Sequence, residues 1–269
     1  MRTTVTILKW ILIGAASLAA LISIVAYVIQ SRLIFSPTKL PQSHVFRFDL
    51  PFREEYFAME DGAIINALHF SVRSPLRIVL YFHGNTGSLD SWGGVAGDFV
   101  QHGYEVVVID YRGFGKSTGS ISEHALQSDG MAIYDRLTES YSESDIVVYG
   151  RSIGSAPATF VAAHRDPKAL ILESPFYSMR DLVRHMFPVV PAFLLRYPLR
   201  NDIYLARVTS PILLFHGTDD RVIYYDSSTK LKRLVPAARL ISIDGGRHND
   251  LPDNQIYKTE LRHILSFVR

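Results

Sequence analysis

Ile146-Val147-Val148-Tyr149 runs directly into Gly150-Arg151-Ser152-Ile153-Gly154. An unbroken apolar run of this kind fits a strand buried on both faces. Residues 155–163, rich in alanine, fit a helix, with Pro157 in its first turn where the missing N–H is not needed. Strand must therefore turn into helix within a few residues. The two flanking glycines allow that close approach, and the serine between them is pushed out at the top of a sheet in a strained conformation. Ser152 is thus a candidate nucleophile. The plainer alternative is an ordinary strand-to-helix corner.

A nucleophilic serine needs a base, and the base needs an acid to orient it. Two later apolar runs end in loops carrying those residue types. Residues 211–215 lead into His216-Gly217-Thr218-Asp219-Asp220, and residues 240–243 lead into Asp244-Gly245-Gly246-Arg247-His248-Asn249-Asp250. The order Ser, Asp, His along the chain is the one such sheets use. His248, behind two glycines that free its loop, is the candidate base, while His216 suits a loop-holding role. The acid could be Asp219 or Asp220, and Glu173, after the run 169–172, competes with both. Charge that develops on a substrate carbonyl oxygen needs N–H donors. The N–H of Ile153 is one candidate. Asn85, in His83-Gly84-Asn85-Thr86-Gly87 after the run 77–82, supplies the other.

These motifs, with Asp110-Tyr111-Arg112-Gly113-Phe114-Gly115-Lys116-Ser117 and Glu173-Ser174-Pro175-Phe176, resemble those of α/β-hydrolase superfamily serine hydrolases. The likeness is to small membrane-anchored abhydrolase-domain proteins of the dienelactone-hydrolase and prolyl-oligopeptidase-like branch. It covers the chain from about residue 76 onward. It implies a catalytic triad of Ser152, Asp220 and His248, with Asp220 preferred over Asp219 because the family's acid lies four residues after the histidine of H-G-x-x-D. Gly84, Arg151 and Phe176 are candidates to line the substrate pocket. Chemistry varies widely on this fold, so the resemblance constrains substrate much less than architecture. The chain has no cysteine, so it cannot be tethered through an acylated N-terminal cysteine cluster as related depalmitoylating thioesterases are.

Residues 10–29 contain no charge, and twenty residues at helical rise match a bilayer core of about 30 Å. Trp10 and Tyr27 lie near the two ends, where amphipathic rings favour the interface. The stretch is longer than a signal-peptide core and lacks a clear cleavage site, which favours a retained transmembrane anchor behind a short tail, 1–9. Arg2 and Lys9 before it nearly balance Arg32, Lys39 and Arg47 after it, so orientation is poorly fixed, with a slight preference for a catalytic domain outside the cytoplasm. Residues 30–51, with Pro37, Pro41 and Pro51, read as a juxtamembrane linker.

The remainder, 52–269, suits one α/β domain. Apolar runs at 78–82, 106–109, 146–149, 169–172, 212–215 and 240–243 alternate with segments of helical length, which predicts a mostly parallel, doubly wound sheet covered by helices on both faces. Residues 54–59 and 63–72 predict an antiparallel hairpin about Glu60-Asp61-Gly62. Residues 176–210 fall where relatives carry a lid; the prolines within 186–195 argue against one long helix. Arg112 reads as a structural residue, tied down by charge-assisted bonds. A net charge of +2 with mixed signs gives no reason to invoke nucleic acid, no ligand spacing suggests a metal, and Gly113-x-Gly115 lacks the rest of a dinucleotide fingerprint. No cofactor is implied. The expectation is a membrane-anchored serine hydrolase acting on a small-molecule or lipid acyl ester or thioester. A peptidase or amidase on the same three residues is the near alternative, and a non-catalytic binding protein the distant one.

Overall fold

The computed structural model describes residues 2–75, 77–187 and 191–267. Its centre is an eight-stranded sheet: β1 (Phe52–Ala58), β2 (Ile64–Phe70), β3 (Arg77–Phe82), β4 (Tyr104–Ile109), β5 (Ile146–Arg151), β6 (Ala169–Glu173), β7 (Ile212–Gly217) and β8 (Arg239–Ile243). The spatial order is β8-β7-β6-β5-β3-β4-β2-β1. Strands β3 to β8 pair in parallel, whereas β1 and β2 form the expected antiparallel hairpin and β2 joins β4 antiparallel. Every residue of β4, β5, β6 and β7 is buried, which is why these strands read as continuous apolar runs rather than alternating ones.

Helices cover both faces, and the sheet separates the core into two layers. One layer holds α2 (Glu123–Thr138) and α3 (Ser155–Ala162) against side chains such as Leu80, Val148 and Leu170. The other packs Tyr257 and Leu261, from α6 (Gln255–Phe267), against Tyr149, Ile171 and Phe215. Ser122 caps α2 by accepting from the Ala125 N–H at 3.0 Å. Arg112 is held in a bidentate pair with Asp129, at 2.7 and 2.8 Å, and also meets Asp61.

The first 51 residues differ from expectation in two ways. A single helix, α1 (Arg2–Ile34), runs through residues 10–29, but among the described residues no helix is long and apolar enough to cross a membrane. The side chains at 2–4, 8, 16, 19, 20 and 26 lie outside the described set. The second difference is that residues 30–51 are not a loose linker. Phe35 is buried, edge-on to Phe114 and Tyr197, and Phe46 is buried against the other layer. Ser36–Pro37 forms a two-residue parallel ladder with Thr86–Gly87. Burying two phenylalanines, at about 2–3 kcal/mol each, is enough to fix a stretch that its prolines alone mark as irregular.

The segment 176–210 begins with the buried Phe176 and contains α4 (Met179–Met186), capped by Ser178, whose hydroxyl accepts from the Asp181 N–H. The helix stops before Pro188, and the apolar residues Pro188, Val189 and Val190 lie outside the described residues. Between α4 and β8 the chain also forms α5 (Asp226–Leu234).

Candidate active site

Ser152 follows the last residue of β5 and has φ +54°, a left-handed conformation that is costly for a residue with a Cβ. The glycines explain how the turn closes. A Cβ on Gly154 would stand 2.1 Å from the Phe82 carbonyl oxygen, and one on Gly150 would stand 2.5 Å from the Gly154 oxygen and 2.6 Å from the Ala158 Cβ. Only hydrogen fits at either position. The strain is thereby locked in by packing, and the serine hydroxyl stands at the carboxyl end of the sheet.

Loops after β7 and β8 deliver the partners. His248 Nε2 lies 3.0 Å from Ser152 Oγ, and His248 Nδ1 lies 2.7 Å from Asp220 Oδ2. The geometry fits a tautomer in which Nδ1–H donates to Asp220 and Nε2 accepts from the serine hydroxyl. Asp220 is buried; its Oδ1 accepts from the backbone N–H groups of Val222 and Ile223 at 2.8 and 2.9 Å. Burial acts to raise its pKa, but hydrogen bonds from His216 and His248, with the Ile223 N–H, outweigh it and hold the carboxyl well below the usual range. His216 is itself pinned by Ser228 Oγ and the Ile223 carbonyl, so it braces the acid's loop.

The rival acids are elsewhere. Asp219 is exposed. Glu173 is buried behind the elbow, where Tyr149 donates to it at 2.6 Å and Arg151 Nε stands 3.2 Å away. That arrangement also revises the role of Arg151. Its side chain does not line the pocket; it lies 5.1 Å from the Trp92 ring centroid, and Nη2 reaches the His248 carbonyl and Asn249 Oδ1 at 3.4 and 3.2 Å. A charge this deep is drawn to its buried carboxylate partner rather than to an apolar cavity. Gly84 does not border the cavity either; it lies close against Trp92, where a Cβ would meet the ring at 3.0 Å.

A cavity of about 420 Å³ opens beside Ser152. Ile153, Asn85 and Phe176 border it, and its walls are otherwise mainly apolar, including Met179, Leu182 and Ile223. The Asn85 carboxamide is committed elsewhere, donating to the Ile34 carbonyl at 2.8 Å. Its loop is anchored by buried His83, whose Nε2 faces Asp110 Oδ1 at 3.2 Å and whose carbonyl accepts from Tyr111 Oη. What the sequence did not reveal is that Gln30, Leu33 and Ile34 of α1 complete the wall. Among the described residues, no group of three or more His, Asp or Glu side chains could hold a metal ion.

The sequence pattern of the alpha/beta hydrolase fold family matches residues 77–209, the segment carrying the Asn85 loop and the Ser152 elbow. The chain belongs to the α/β-hydrolase superfamily. This α/β-hydrolase is 31% identical over 236 residues to zebrafish (Danio rerio) lysophosphatidylserine lipase ABHD12, a match covering 74% of the chain and 60% of that protein. It is 30% identical over 250 residues to an uncharacterized protein of Mycobacterium tuberculosis, covering 88% of the chain and 87% of the relative. In three dimensions it is similar to a Pyrococcus furiosus esterase, with a TM-score of 0.67 at 20% identity, over 87% of the chain and 97% of the esterase.

Proposed function

We propose that this α/β-hydrolase is a serine esterase that cleaves acyl esters through an acyl-enzyme formed on Ser152. The observation that carries the reading is the Asp220–His248–Ser152 hydrogen-bonded chain at the mouth of an apolar cavity. In the reaction, His248 Nε2 takes the hydroxyl proton as Ser152 Oγ attacks the ester carbonyl. Ionised Asp220 holds the imidazole in the required tautomer and stabilises the imidazolium that forms. The tetrahedral oxyanion is received by the backbone N–H groups of Ile153 and Asn85, at about 3–4 kcal/mol per donor. His248 then gives its proton to the leaving alcohol oxygen. A water molecule repeats the sequence in reverse and releases the carboxylic acid.

The lipase and esterase names of its relatives support an ester substrate, and the apolar cavity supports an aliphatic acyl group. Attachment to a membrane through α1 belongs to the same reading. Its sequence carries no charge from Trp10 to Ile29, and Trp10, Leu12, Leu18, Ile22 and Val28 are all exposed, an apolar surface that water does not tolerate at this extent. The deciding experiment is labelling of the membrane fraction with a fluorophosphonate probe. The wild-type chain should label and hydrolyse p-nitrophenyl esters, and Ser152→Ala should do neither; full esterase activity in that variant would refute the proposal.

A further inference from the structure

The last turns of α1 do more than lead into the domain. Gln30 is buried where a helix approaching from outside the sheet would normally show water its polar side chains. Both ends of its carboxamide are used: Nε2 donates to the Leu194 carbonyl at 2.5 Å, and Oε1 accepts from the Arg196 N–H at 2.8 Å. Two aromatic contacts reinforce this seam. The Arg196 guanidinium lies 5.3 Å from the Tyr27 ring centroid, and Phe35 meets Tyr197 edge-on at 5.2 Å. Gln30, Leu33 and Ile34 face Ser152 across the same cavity that Leu194 and Leu195 border.

We infer that Gln30 is a positioning residue for acyl-chain recognition, and that the end of α1 is a wall of the acyl pocket. The inference rests on the esterase reading and names its substrate class: esters of extended aliphatic acids, whose chain runs from Ser152 along α1 beneath residues 194–196. A bidentate amide is suited to this task. It fixes the spacing between helix and covering segment with two directional bonds, where apolar packing alone would let them slide. An acetyl group fills only the end next to Ser152 and does not reach the seam. A long chain lies against it.

The test compares acetyl and decanoyl p-nitrophenyl esters on full-length protein in detergent micelles. Gln30→Met keeps the length and apolar bulk of the side chain but removes both hydrogen bonds. It should raise KM for the decanoyl ester about tenfold while kcat stays within about threefold, and the acetyl ester should change by less than about threefold in kcat/KM. Leu33→Trp, which adds bulk at the α1 border of the cavity, should lower decanoyl kcat/KM by a larger factor than it lowers acetyl kcat/KM. If Gln30→Met does not fold, Leu33→Trp carries the test alone. A decanoyl-to-acetyl ratio unchanged in the folded variants, with the wild type active on both, overturns this inference and leaves the esterase intact. A wild type inert to both esters and to fluorophosphonate overturns the esterase itself.

Discussion

Arg151 and Glu173 form a buried ion pair directly behind the nucleophile, with Nε 3.2 Å from Oε1. The same guanidinium holds the loop bearing His248 through its carbonyl and through Asn249. Removing one partner of such a pair leaves an uncompensated buried charge, at about 3–5 kcal/mol. Arg151→Met should therefore lower the unfolding free energy by that order. It should also reduce kcat more than it raises KM, because the histidine loop loses its tether. Denaturant melts beside steady-state kinetics check both parts; a variant of full stability with normal kcat would show that the clamp is idle.

Asp220→Asn should cost about 10⁴-fold in kcat with little change in KM, because an asparagine in place of the acid favours the wrong imidazole tautomer. Glu173→Gln should cost far less, since Glu173 does not reach His248. The ratio of the two kcat losses is the measurement, and similar losses would point to the wrong acid.

The depressed pKa of Asp220 has a sign for stability. A carboxyl whose folded pKa lies below its unfolded value of 3.8 contributes its full stabilisation above that value, and the contribution drains away as pH falls toward the folded pKa. Thermal melts of the wild type should drop as pH falls below about 4, and that part of the drop should be smaller in Asp220→Asn. Parallel acid limbs in the two proteins would contradict it.

Two glycine substitutions should behave very differently. Gly154→Ala places a methyl within 2.1 Å of a backbone oxygen that cannot retreat, so expression as folded protein should fail or stability should fall by roughly 4 kcal/mol or more. Gly245→Ala meets open space and suffers only its φ of +65°, worth about 1–2 kcal/mol. Thermal shift of the purified variants separates the cases.

Much of this fold was legible because its signals are local. Fully buried parallel strands appear as unbroken apolar runs, and the tight turns at Gly150–Gly154 and the loops at 216–220 and 244–250 announce themselves by composition. The order Ser, Asp, His was equally plain, and the side chains so picked out lie within hydrogen-bond distance of one another. What escaped was long-range. Arg151 is adjacent to the serine in sequence, yet its place is set by Trp92, Glu173 and Asn249, none of which the motif mentions. Prolines made 30–51 look like a spacer, although isolated Phe35 and Phe46 within it were a readable hint of docking. Gln30 fell within the stretch that read as a linker, and only its partners 164 and 166 residues away give it a purpose.

The short ladder between Ser36–Pro37 and Thr86–Gly87, with the Asn85 carboxamide reaching Ile34, splices the N-terminal helix straight onto the loop that faces the serine. There is no slack between them. Anyone grafting a different leader onto this enzyme, or trimming it for crystallisation, must therefore cut upstream of Gln30; a boundary drawn at the start of β1 would remove masonry from the active-site wall along with the scaffolding.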